Sequence, residues 1–135
     1  KESYSGVKII YEITRMDKDV CSVVFRGKGL FSGSREFLIL KSMNLDTGRS
    51  SNEINYNNFV VNDAALRKLI GKKVVEQNLA KFFEAEGINL YFKNDTAVFY
   101  YMPLDDMADT FIEVPISLDV IEGYICWTFG DMPAS

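Results

Sequence analysis

The sequence predicts an α+β domain: a mainly antiparallel sheet packed against a broken central helix, in the order β-β-β-(β)-α-α-β-β-β. Three observations predict it. Runs at both ends alternate apolar and polar residues with a period of two, and the middle repeats its apolar residues at helical spacing. The connections between the runs are of hairpin length. A chain of 135 residues with 47% hydrophobic and 25% charged residues fits one domain, 1–135, that buries its own core.

Residues 7–16 open the pattern, with Val7, Ile9, Tyr11 and Ile13 alternating with Lys8, Glu12 and Thr14. Asp17-Lys18-Asp19 makes a polar turn into residues 20–28, where Cys21, Val23 and Phe25 share one face and Ser22 and Arg26 the other. The two runs should form an antiparallel hairpin. Residues 27–34 hold three glycines around Leu30 and Phe31 and read as a loop or a twisted strand end. Residues 36–44 are the next strand, stopped by the Asp46-Thr47-Gly48 turn signal. Residues 49–56 are polar and suit a short edge strand or an extended segment that leads back over the sheet.

Asn62 or Asp63 is placed to cap a helix. Leu66, Leu69 and Ile70 share one of its faces, while Val75, Leu79, Phe82 and Phe83 share another. One straight helix cannot bury both stripes against one sheet, so a break is expected at Gly71-Lys72-Lys73. The second helix should end near Glu86-Gly87. Strand 88–92 then turns at Asn94-Asp95 into residues 96–102, which are apolar on both faces and suit a central strand. Residues 103–109 form a turn. Residues 111–118 form the last strand, and Pro115 marks it as an edge. Residues 118–123 suit a short helical turn.

Composition excludes several functions. The sequence has no histidine, which removes histidine-based nucleophilic catalysis and histidine metal sites from this chain. A net charge of −4 argues against nucleic acid as a partner. The apolar runs are too short for a membrane span. Lys1 and the polar residues after it suggest a chain whose targeting segment is not present here. Cys21 and Cys126 are compatible with one disulfide or with two thiols.

Candidate binding residues fall in three groups. Leu30 and Phe31 are apolar at a loop tip beside Arg35, a basic residue suited to an anionic group. Tyr91 and Tyr101 would present an aromatic platform, if Leu90 and Phe92 are their core-facing neighbours. Pro103, Asp105 and Asp106 start an acidic turn that continues to Asp109 and Glu113. Its spacing fits no calcium loop, and helix capping by one aspartate explains it equally well. No catalytic residue, metal site or cofactor is expected.

Several segments together resemble a family of Gram-positive extracytoplasmic domains, the RsiV/PdaC type, which includes anti-sigma factor ectodomains. The matching residues are Cys21 to Phe25, the loop 27–33 and the turn Asn44-Leu45-Asp46-Thr47-Gly48. Further on they are Gly87-Ile88-Asn89-Leu90-Tyr91-Phe92 and Ile112-Glu113-Val114-Pro115-Ile116. The sequence departs from the family at two loops. A Gly-Gly-Ala-His loop stands here as Phe31-Ser32-Gly33-Ser34-Arg35-Glu36, and a Pro-Tyr-Glu-Ile loop as Met102-Pro103-Leu104-Asp105-Asp106.

The resemblance implies the fold and a secreted or envelope-anchored location. It does not imply the lysozyme binding of one member. The expected function is therefore a non-catalytic binding or sensory domain for a protein or peptidoglycan-related ligand, monomeric in the simplest case. A carboxylate-dependent glycan-acting enzyme and a ligand-free accessory module are the alternatives.

Overall fold

The computed structural model describes residues 4–31, 35–48, 52–77, 87–103 and 110–126. Strand β1 (Tyr4–Met16), β2 (Val20–Phe31) and β3 (Arg35–Asp46) form a long antiparallel meander in the order β1-β2-β3. The β1–β2 turn is the Asp17-Lys18-Asp19 segment, where the Asp17 carboxylate accepts the Asp19 and Val20 amides at 2.9 and 3.0 Å. Strands β4 (Asn89–Lys93), β5 (Thr96–Tyr101) and β6 (Ile112–Ser117) form a second, shorter antiparallel sheet in the order β4-β5-β6. The expected mainly antiparallel sheet is thus two sheets. Asn94, at φ 55°, makes the tight β4–β5 turn, and Pro115 lies on edge strand β6 with its ring exposed.

In chain order, a short helix α1 (Tyr56–Phe59) and the main helix α2 (Asp63–Glu76) come between β3 and β4. Asn55 caps α1 with a reciprocal pair of bonds to Asn58, and Asn62 caps α2 through the Ala65 amide. Of the segment 49–56, expected as an edge strand or an extended segment, the described part from Asn52 pairs through a single bridge, Leu45 to Glu53, and leads into α1. The expected break at Gly71 is absent. Leu66, Ile70 and Val74 are all fully buried, and their four-residue spacing keeps one stripe in phase through the glycine. Val75, assigned by its spacing to a second buried stripe, is 49% exposed. The rest of that stripe, Leu79, Phe82 and Phe83, lies outside the described residues, as does the expected helix end at Glu86.

The short sheet is the middle layer. One face carries Leu90, Phe92, Ala97, Phe99, Tyr101, Val114 and Ile116 into the main core with Phe59, Leu66, Ile70 and Ile121. The other face carries Tyr91, Val98 and Tyr100 against Val24 and Leu40 of the long sheet. Alternation along β5 divides its residues between these cores, so all of Ala97 to Tyr101 are buried. A 3-10 turn, Glu122–Tyr124, closes the helix side, where the Cys126 amide bonds the Phe59 carbonyl at 3.0 Å.

The long sheet is turned the less expected way. Its polar row, Ser22, Arg26, Ser42 and Asn44, faces the short sheet. Ser22 bonds Asn44 at 2.6 Å and accepts the Phe92 amide at 3.1 Å, while Asn44 donates to the Leu90 carbonyl at 2.9 Å. Thr14 donates to the Phe92 carbonyl at 2.6 Å and Ser42 to the Leu90 carbonyl at 2.8 Å. Hydroxyl and amide side chains therefore satisfy the backbone of edge strand β4. The apolar row of β1 points the other way, with Val7, Ile9, Tyr11 and Ile13 between 47% and 68% exposed.

The glycine-rich segment, read as a loop or a twisted strand end, continues β2 as far as Phe31. Residues 32–34 lie outside the described residues. A Cβ on Gly27 would fall 2.1 Å from the Lys8 carbonyl oxygen, and one on Gly29 would fall 2.3 Å from the Phe37 ring. These two glycines let β1 approach closely and let Phe37 cover the strand.

Candidate binding site between the two sheets

Where β2 leaves the short sheet, three side chains from different strands meet. Arg26 projects from the inward face of β2, Tyr91 from β4 and Glu113 from β6. The Arg26 guanidinium clasps the Glu113 carboxylate with two bonds, 2.9 Å from Nη1 and 2.7 Å from Nη2. Tyr91 donates its hydroxyl to Glu113 at 2.8 Å and accepts from Arg26 at 3.1 Å. The guanidinium carbon also lies 6.0 Å from the centre of the Tyr91 ring. Beside them, the Tyr100 and Ser42 hydroxyls are 2.7 Å apart. Fork geometry and the tyrosine donor satisfy a half-buried carboxylate that burial alone would penalise.

The electrostatics fix the cluster in one protonation state. The Arg26 bonds hold the Glu113 carboxyl below its ordinary range, outweighing its partial burial, with the Tyr91 bond adding to them. Burial pushes the Tyr91 phenol up, and its bond to Glu113 pushes it further. Glu113 pushes the Arg26 guanidinium up in turn. A carboxylate that binds no proton near neutrality and a phenol that keeps its own are poor acid–base groups. The arrangement suits fixed-charge recognition and anchoring.

One opening adjoins the cluster and a second lies further along the long sheet. A cleft of about 190 Å³ is lined by Arg26, Leu38, Leu40, Thr110, Phe111 and Glu113, among others. A wider one of about 480 Å³ lies at the far end of the long sheet, between Gly6, Val7, Lys8, Lys28, Leu30 and Glu36. Lys28 and Glu36 approach to 3.8 Å across it. Among the described residues, no group of three or more Cys, Asp or Glu side chains converges as a metal site.

Leu30 is 39% exposed and lines the wider opening. Phe31 and Arg35 are the paired backbone ends of β2 and β3, and their side chains lie outside the described set. Pro103 is half-buried, next to Met102 at 37% exposure. Asp105 and Asp106 lie outside the described residues. The aromatic platform does not form: Tyr91 is 4% and Tyr101 1% exposed. Tyr101 faces the helices rather than sharing the Tyr91 side, because it falls in register with Phe99 and Ala97.

Cys21 and Cys126 are free thiols, so the possible bridge is absent. Cys21 sits in β2 opposite Met16, while Cys126 Sγ lies 3.1 Å from the Asn58 carbonyl at α1. Arg26 and Glu113, which organise the site, were legible only as a strand residue and as part of an acidic group. Their pairing spans 87 positions and has no local signal.

The fold and site define an α+β domain of two antiparallel sheets, with a charged anchor and an open cleft between them. No family model matches the sequence, and no curated protein matches it. Among solved structures, the chain is similar to a member of the DUF3298 family from Bacteroides fragilis. The identity is 16% and the TM-score 0.68, over 90% of this chain and 54% of that one. The chain spans about half the length of that protein and shares its fold.

Proposed function

We propose that the chain is a non-catalytic binding domain of the cell envelope, with a protein or cell-wall component as its ligand. The observation that carries this reading is the bare far half of the long sheet. Ile9 and Tyr11 are exposed on its outward face at 52% and 68%, and Leu30 on the opposite face at 39%. Apolar residues exposed together at one end of a sheet favour a macromolecular contact. The fixed charges of Arg26 and Glu113 support binding over acid–base chemistry.

The test is co-sedimentation of the purified domain with isolated cell-wall sacculi, and its retention of proteins from an envelope extract. The expected result is retention that falls when Leu30→Ser and Phe31→Ser are combined, with the melting curve unchanged. Equal retention by the double variant would remove this surface from the reading. Glycan hydrolysis lost in Glu113→Gln would replace the reading with an enzyme.

A further inference from the structure

Among the described residues, β1 has a neighbour on one side only. Its pairing with β2 shifts register between Tyr4 and Gly6 and again between Ile13 and Arg15. The run between these irregularities is regular, contains no proline, and includes Ile10 and Tyr11 at 72% and 68% exposure. Natural edge strands are protected by proline, by bulges, by charged side chains or by a covering element. Residues 7–13 have no proline or bulge in their interior, and their two charges, Lys8 and Glu12, are opposite, exposed and on one face, so they protect against a like-charged edge but not a complementary one. Neither forms an ion pair with the described residues.

We propose that β1 pairs with β1 of a second copy of this chain, antiparallel about a two-fold axis through Ile10. The two long sheets then join into one of six strands. In this register Lys8 faces the second copy's Glu12, and Glu12 faces its Lys8. On the other side Val7 faces the copy's Ile13 and Ile9 faces its Tyr11, while Ile10 meets itself. A two-fold of this kind pairs only residues on the same face, so few registers compete. An axis at Ile9 sets Lys8 against Ile10. One at Tyr11 sets Glu12 against Ile10. Only the Ile10 axis makes every opposed pair apolar with apolar or cation with anion.

The rest of the molecule leaves room for this pairing. The short sheet sits over the Thr14 end of β1, where Thr14 bonds the Phe92 carbonyl. The axis at Ile10 therefore carries the two short sheets to opposite ends of the joined sheet. The Arg26–Glu113 site stays on its own protomer, and joining the β1 edges leaves the outward face that carries Ile9 and Tyr11 open to the proposed ligand.

Sedimentation equilibrium over a concentration series tests the idea through charge reversal. Wild type should show a monomer–dimer equilibrium. Glu12→Lys and Lys8→Glu should each weaken it by about tenfold or more, because both cross-strand pairs become like-charged. The double variant, carrying Lys8→Glu with Glu12→Lys, should recover the wild-type constant. An equimolar mixture of the two single variants should form a heterodimer.

The register has its own test. With Cys21→Ser and Cys126→Ser in place, Ile10→Cys should oxidise to a disulfide-linked dimer, while Val75→Cys on α2 should not. Monomeric wild type at every soluble concentration would overturn the proposal. So would single variants that dimerise like wild type.

Discussion

Replacing Glu113 by Gln would leave the Arg26 guanidinium half-buried without its fork partner. The two side chains are 30% and 43% exposed, so water screens much of the loss. A destabilisation of about 1 kcal/mol in urea unfolding is expected, not the several that a fully buried pair would lose. The same carboxylate makes stability depend on acidity. In the folded protein it binds its proton more weakly than an ordinary glutamate does. Its stabilising share is therefore complete above the ordinary glutamate range and is lost as pH falls through the lower folded-state value. Wild type and Glu113→Gln should differ most near neutrality and converge in acid, as measured by denaturant midpoints across pH. A gap that widened on acidification would contradict the assigned hydrogen bonds.

The strands and helices raise a different question, which is what holds β4 in place. Asn44 is 3% exposed and donates to the Leu90 and Ile54 carbonyls, at 2.9 and 3.2 Å. Asn44→Ala would strand the Ile54 carbonyl and the Ser22 hydroxyl and leave the Leu90 carbonyl to Ser42 alone, costing about 2–3 kcal/mol in equilibrium unfolding. Ser22→Ala should speed hydrogen exchange at the Phe92 amide more than at the other β4 amides. Gly27→Ala should cost more than Gly29→Ala, since the first meets the β1 backbone and the second meets a ring.

How legible these elements were follows from the range of their causes. The β1–β2 hairpin, the Asn62 cap, the Asn94 turn and the edge position of Pro115 are local, and period and turn residues predict them. The unbroken α2 is hard to read because Val74 and Val75 are adjacent: Val75 is in phase with Leu79 and Phe82, but Val74 carries the Leu66–Ile70 stripe onward and is the buried one. The inward polar face of the long sheet could not be read locally. Alternation shows that Ser22 and Cys21 point to opposite sides, but not which side meets another layer. Ser22, Ser42 and Asn44 look solvent-facing in sequence because their partners, the backbone groups of β4, lie far along the chain. The Arg26–Glu113 site was hidden for the same reason.

The molecule as a whole is unevenly supported. Near the β1–β2 turn, the long sheet is buttressed by the short sheet, and Val20, Ser22 and Val24 are at most 1% exposed. Towards Gly29 and Leu30, no layer covers either side among the described residues, and the strands hold mainly through their own ladder. A three-stranded ladder without a packed face has little independent stability. Opening should therefore progress from that end, because local stability follows buried apolar contact more than hydrogen-bond count. Native-state hydrogen exchange should show the amides of Val23 and Val24 protected nearly to the global unfolding free energy. Those of Lys28 to Leu30 should exchange through smaller openings. A bound ligand or a second β1 would change this in distinguishable ways. Pairing at β1 should protect its edge amides between Val7 and Ile13 in proportion to protein concentration. A ligand on the far half of the long sheet should slow the Lys28 to Leu30 amides at any protein concentration. Uniform protection along β2 in dilute, ligand-free protein would mean that some further contact covers the far end.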